Sequence, residues 1–211
     1  MPLTTQKRPR FGGIGLGAYR LVVRVRDKAF AALVFRPTFA AFGPGSVIQL
    51  PVRLSGEGHV CVGADVFVGA GSWIQVLERD APTGVDPEIV IGDGTSIAGS
   101  CVLSAACSIH VGRRVLMARN VYVADHGHAF ADIGAAVLDQ GLRDIRPVVI
   151  GDGAWLGQNV FVAPGVSIGR GAVIGANSVV LSDVPDHAIA VGAPTRIVRT
   201  FAKADIVEAS Q

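Results

Sequence analysis

Residues 124–130 read ADHGHAF. Asp125, His126 and His128 place one carboxylate and two imidazoles within four positions of a 211-residue chain that holds only five histidines. Three outcomes suit such a cluster. Two imidazoles can bind a metal, although a zinc site wants at least a third protein ligand. One imidazole can accept and return a proton, because its charge changes near neutral pH. Or the residues simply line a loop. His59, His110 and His187 fall outside any spacing that would complete a metal set with the pair, so no metal is expected. Cys61, Cys101 and Cys107 form no C-x-x-C pair.

The elements that carry the cluster follow from composition and period. Hydrophobic residues make up 50% of the chain and charged residues 17%, yet there are only 2 Trp and 2 Tyr against 27 Gly. Aliphatic mass with abundant glycine favours a β-rich repeat over a helical bundle. A net charge of +2 makes no case for nucleic acid. The odd cysteine count reads as reduced thiols, and the basic start Lys7–Arg10 leads into no secretory leader, so a cytoplasmic protein is expected. No stretch of 18 uncharged apolar residues suggests a membrane span.

The period is six. From Ile150 the chain reads IGDGAW LGQNVF VAPGVS IGRGAV IGANSV VLSDVP. An aliphatic residue opens each hexad at Ile150, Leu156, Val162, Ile168, Ile174 and Val180. The frame recurs at Val62, Val68 and Ile74, at Ile91, Ile97 and Leu103, and at Val111, Met117 and Val123. Of these fifteen hexads, thirteen carry Gly, Ala or Ser in second place, the exceptions being Gln75 and Leu181. Six matches neither a helix nor a plain alternating strand. One short strand plus one corner does, and three hexads close a triangular coil of 18 residues. Stacked coils would bury the aliphatic positions on a common axis. The blocks give five coils, interrupted near 79–88, 109–110 and 125–147.

This run resembles the hexapeptide-repeat, left-handed β-helix acyltransferases, and among them the sugar O-acetyltransferases of the maltose, galactoside and polysaccharide type. The likeness spans roughly Val60 to Arg199. Its specific pieces are DQGL at Asp139–Leu142, PVVIGDGAWLGQNVFVAPGVSIG at Pro147–Gly169, IGANSVV at Ile174–Val180 and VGAPTRIVR at Val191–Arg199.

The resemblance implies an all-β, left-handed parallel β-helix of five or more coils that assembles as a homotrimer. It implies acetyl transfer from acetyl-CoA to a hydroxyl of a sugar or glycan, with no metal. Its general-base histidine stands at the last corner before an extruded loop. Hexad counting puts His128 there, and a bulge at Gly127 would substitute His126. Asp125, Asp132 and Asp139 are candidates to orient the ring, and Asp125 and Ser100 are candidates to face the acceptor. Trp155, Gln158, Ala163, Ala176, Arg196 and Arg199 are the expected CoA-binding residues, in a groove between neighbouring subunits. Gln158 replaces a serine of the galactoside enzyme, and VLSD at Val180–Asp183 lacks a threonine and a lysine of the family pattern. Carbonic anhydrases of the same fold use three histidines in a spacing absent here. An amino-sugar N-acyltransferase and a non-catalytic assembly protein are the alternatives.

Upstream, GGIGLG at 12–17 follows no strand and lacks an acidic partner, so it reads as a flexible lead-in rather than a nucleotide loop. Leu16 to Phe35 reads as a helix stopped by Pro37. Its basic and apolar composition suits packing onto the β-helix or a partner subunit, or peripheral contact of residues 16–36 with a membrane. The expected division is a basic lead-in and helix over 1–45, the β-helix over 46–198 with its loop at 125–147, and a tail over 199–211.

Overall fold

The computed structural model describes residues 12–201. It is a three-sided, left-handed parallel β-helix preceded by one helical segment. Each hexad contributes a strand of two to four residues, and every third strand joins the same face. The first face stacks Ala41–Phe42, Val60–Val62, Glu88–Ile91, Ser108–Val111, Val148–Ile150 and Ser167–Ile168. The second stacks Val47–Ile48, Phe67–Val68, Ser96–Ile97, Leu116–Met117, Trp155–Leu156, Val173–Ile174 and Ala188–Val191. The third stacks Arg53–Ser55, Trp73–Val76, Val102–Ala105, Tyr122–Ala124, Phe161–Val162 and Val179–Val180.

The stack runs from Ala41 to Thr200 and has six coils, one more than the hexad blocks predict. The extra coil precedes Val60 and keeps the same frame through Phe42, Ile48 and Leu54.

Register places identical hexad positions on top of one another. On the first face Ile91, Val111, Ile150 and Ile168 form one column. On the second, Val68, Ile97, Met117, Leu156 and Ile174 do so, and on the third Ile74, Leu103, Val123, Val162 and Val180. All of these side chains are buried and form one core. Each contributes about 1.5–3 kcal/mol by leaving water.

The corners explain the small residues. At Gly112 an added Cβ would lie 2.7 Å from the backbone nitrogen of Asp152 in the next coil. Positive φ also turns the corners, at Asp65, Gly94, Arg114, Gly153 and Gly171 between the first and second faces and at Ser100, Asn120, Asn159 and Asn177 between the second and third. Asn tolerates that conformation better than most side chains. The three asparagines also form a ladder, with Asn120 Nδ2 donating to Asn159 Oδ1 at 3.1 Å and Asn159 Nδ2 to Asn177 Oδ1 at 2.8 Å.

The departures from strict period six inside the stack share one edge, between the third face and the first. They lie after Leu54, Ile74, Leu103 and Val123. The other two edges keep the frame. Insertions are therefore confined to one side of the prism.

The helical segment differs from the sequence expectation at both ends. The glycine-rich stretch forms the first turns of helix α1, Gly12–Phe30, rather than a flexible lead-in. Pro37 does not stop the helix. A π-helical turn at Ala31–Phe35 is followed by a last helical turn, Arg36–Thr38, with Pro37 inside its first positions. Proline is tolerated there, because the N–H it lacks would have no partner at the start of a turn. Phe35, Phe39 and Phe42 then pack edge-on or tilted at centroid distances of 5.5–5.9 Å over the first coil.

Leu156 is fully buried in the central column of the second face. Leu156→Ala is expected to cost about 2–5 kcal/mol, measured as a lower urea midpoint with an unchanged slope.

Candidate active site

The largest insertion leaves the third face after Ala124 and returns at Val148. Asp125 fixes the point of departure. Its carboxylate is completely buried, and both oxygens are occupied. Oδ1 accepts the Ala106 N–H at 2.8 Å, and Oδ2 accepts the Cys107 N–H at 2.6 Å. These are corner amides of the preceding coil, which no ladder satisfies. Asp125 is therefore a corner clamp. The acceptor-facing role expected for it does not fit, because no part of it meets solvent.

Oδ1 also takes a hydrogen bond from His126 Nδ1 at 2.8 Å. A carboxylate can only accept, so Nδ1 donates, and in the neutral ring Nε2 is then the acceptor. Nε2 faces Ser104 Oγ across 3.5 Å, and Gln75 Nε2 donates to that same Oγ at 2.6 Å. The four residues make a one-directional chain: Gln75 amide to Ser104 hydroxyl, Ser104 hydroxyl to His126, His126 to Asp125. Ser104 is fully buried, and the His126 side chain is 7% exposed. His126 is thus held at both nitrogens on the inner side of the corner.

His128 lies two residues further, in the strand Gly127–His128, which pairs antiparallel with Leu142–Arg143. It is exposed, and neither ring nitrogen is hydrogen-bonded among the described residues. Neither Asp132 nor Asp139 orients it. Asp132 instead accepts the Gly134 N–H at 2.8 Å. Gln140, from the DQGL motif, clamps the loop tip: its Nε2 donates to the Asp132 and Ala135 carbonyls, and its Oε1 accepts the Asp132 N–H. Arg143 lies over the Phe130 ring at 4.5 Å. The loop returns through the Arg146 N–H, which donates to the Asp125 carbonyl at 2.8 Å. Ile133 and Leu138 at its tip are almost fully exposed.

The remaining candidates divide between edges. Gln158 and Ala176 stack in consecutive coils on the edge between the second and third faces, where the Asn177 N–H donates to the Gln158 carbonyl at 2.8 Å. Trp155 lies on the second face just before that edge, half-exposed between Leu116 and Val173. Arg196 and Arg199 stand on the exposed strand Arg196–Thr200, which runs antiparallel beside Ala188–Val191. Ala163 alone shares the histidines' edge, since it follows Val162 of the third face. Ser100 turns the corner before Val102–Ala105, on the edge that carries Gln158 and Ala176 and away from the histidines of the same chain. Ser104 faces His126 and Gln75 bonds Ser104, and sequence reasoning missed both. The signal was present at Gln75, which breaks the small-residue rule of its hexad.

No group of three His, Cys, Asp or Glu able to hold a metal occurs among the described residues. The thiols offer no ready nucleophile. Burial raises the Cys101 thiol above its ordinary value, and burial followed by the Asp125 charge raises Cys107. A raised thiol pKa leaves the protonated, unreactive form at neutral pH.

The repeat, the corner clamp and the extruded hairpin can now be set beside known proteins. Residues 147–182 match the family model "Bacterial transferase hexapeptide (six repeats)". The lipopolysaccharide-biosynthesis O-acetyl transferase candidate WbbJ of Escherichia coli K12 is 30% identical over 161 residues, covering 74% of this chain and 79% of WbbJ. The chain belongs to the hexapeptide-repeat acetyltransferase family. The acetyltransferase candidate Rv3034c of Mycobacterium tuberculosis is 35% identical over 129 residues, 61% of this chain, but the match spans only 43% of that longer protein. Among solved structures, AntD of Bacillus cereus, an N-acyltransferase in complex with dTDP and 3-hydroxybutyryl-CoA, superposes with a TM-score of 0.67. It shares 19% identity and covers 83% of this chain and 89% of its own, a likeness of fold.

Asp125→Ala should strand the Ala106 and Cys107 amides and release His126. The expected loss is about 2–4 kcal/mol, read as a lower urea midpoint, with faster tryptic cleavage of the hairpin at Arg143.

Proposed function

We propose that the protein transfers an acetyl group from acetyl-CoA to a hydroxyl of a sugar or glycan, with His128 as general base. The observation that carries the choice of base is the difference between the two rings. A base needs a free nitrogen within hydrogen-bond reach of the acceptor. His126 Nε2 faces a buried serine hydroxyl, whereas His128 is exposed on the hairpin with both nitrogens open to a ligand.

The step is direct transfer. The acceptor oxygen attacks the thioester carbonyl while a His128 ring nitrogen takes its proton. The carbonyl π electrons move to oxygen, and a backbone N–H would stabilise that oxyanion. Collapse re-forms the carbonyl, breaks the C–S bond and expels the CoA thiolate, which takes the proton back from the imidazolium. No acyl-enzyme is required, in keeping with cysteines held in their protonated form. Asp125, His126, Ser104 and Gln75 hold the corner from which the His128 strand departs.

The edge arrangement also supports a homotrimer with sites between chains. Within one chain the histidines and the group Trp155, Gln158 and Ala176 occupy different edges of a rigid prism. Two chains side by side can bring these edges together, as a heterologous contact in a closed ring does. The exposed Ile133 and Leu138 give the hairpin an apolar tip suited to such a contact. Arg196 and Arg199 are the proposed partners of the CoA phosphates.

An amine acceptor is the second reading, favoured by the superposition on AntD. Acetylation of an amino sugar with release of CoA would give an amide in place of an ester, and mild alkaline hydrolysis of the product separates the two.

Thiol release from acetyl-CoA over a panel of glycan acceptors tests the proposal. His128→Ala should lower kcat/KM about 10²–10⁴-fold, while His126→Ala should lower stability more than turnover in the folded fraction. The reverse pattern would assign the base to His126. A 1:1 mixture of His128→Ala and Trp155→Ala chains, unfolded and refolded together, should recover up to about a quarter of wild-type activity, because that share of interfaces pairs two intact edges. No recovery would mean that each site lies within one chain.

A further inference from the structure

The helical segment presents a surface that neither the core nor the proposed site uses. Val23, Asp27, Ala31, Phe35 and Phe39 recur every four residues and face the β-helix. The opposite side carries Leu21, Val22, Val25 and Leu33, each at least 60% exposed, with Ala18, Ala29 and Ala32 between them. This is an outward apolar stripe along one side of a helix. Arg24 and Lys28 flank it on one side and Arg26 on the other, and Arg36 follows at its end. Asp27 is the single acidic residue in the segment, and it is buried and bonded to Arg26 at 2.7 Å.

Charge is segregated in the same way along the whole chain. Residues 1–40 hold eight Lys or Arg and one Asp, a net +7. The remaining residues hold eleven cations and sixteen anions, a net −5. A stripe of this width exposed to water is costly, and its cationic margins decide what covers it. A second copy laid helix against helix would oppose like charges. Nucleic acid would leave the apolar stripe uncovered. An anionic lipid surface accepts both features, the apolar side chains among the acyl chains and the cations at the headgroups. No helix among the described residues is long and apolar enough to cross a membrane, so the helix would lie along the surface.

We propose that residues 16–36 form a peripheral docking face for an anionic membrane, holding the β-helix beside a bilayer. This inference is independent of the acetyl-transfer reading.

The test is cosedimentation of the full chain with vesicles of phosphatidylcholine alone and of phosphatidylcholine with an equal part of phosphatidylglycerol. Binding to the anionic vesicles should be tighter by at least about tenfold and should weaken with added salt. Val22→Glu/Val25→Glu should abolish it, with far-ultraviolet circular dichroism and the elution volume unchanged. Arg24→Gln/Lys28→Gln should keep residual binding and lose most of the salt dependence. Equal binding to both vesicles, or none to either, would overturn the proposal. So would dissociation of an oligomer by Val22→Glu/Val25→Glu, which would assign the face to a second copy of the chain. Salt-sensitive binding of duplex DNA in place of vesicles would likewise overturn it. Turnover on a soluble acceptor should be the same in both variants, so a failed docking test leaves the catalytic reading intact.

Discussion

Stacking of the aliphatic hexad positions in register governs this molecule. A single coil has no inside, since its three inward side chains would face water above and below. Each becomes buried only when the same position in the next coil lies over it. Columns such as Val68, Ile97, Met117, Leu156 and Ile174 therefore tie distant parts of the chain to one spacing. A slip of one residue would turn an entire strand inside out. The corners follow from this demand: glycines where backbones nearly touch, and asparagines where a side chain must accept positive φ and can bond its neighbour.

Chemistry requires the frame to be broken somewhere without losing register. The protein confines the breaks to one edge and anchors the longest with a buried carboxylate. Asp125 replaces the missing ladder with two charge-assisted bonds to corner amides and uses its remaining capacity on His126. The hairpin is then regular in its own right: antiparallel at its base, clamped by Gln140 at its tip, and returned to the stack by Arg146. His128 is exposed on a hairpin hydrogen-bonded at its base, its tip and its return.

Much of this is legible in the sequence, because period six is a direct record of the column demand. The frame announces the fold, the edge where it fails and the histidine pair. The first coil was readable too, in the spacing of Phe42, Ile48 and Leu54, but an eight-residue step to Val62 hides the continuity. Polar contacts between coils were not readable. Ser104 faces His126 from 22 positions away along the chain and Gln75 reaches Ser104 from 29, a vertical adjacency fixed only once register is known. The same blindness made Asp125 look like a surface group when it is buried. Pro37 misled for a local reason: a π-helical turn ahead of it lets a fresh helical turn begin where the pattern suggested a stop.

The strand Arg196–Thr200 reverses direction against Ala188–Val191 after six coils that run one way. A parallel stack has no intrinsic length, and its last coil exposes open N–H and C=O groups to any chain with the same repeat. The reversed strand covers one such rim with a segment of different polarity and exposed, partly basic side chains. End-to-end growth into a fibril is thereby discouraged on that face, so this basic strand works against assembly whatever its arginines bind.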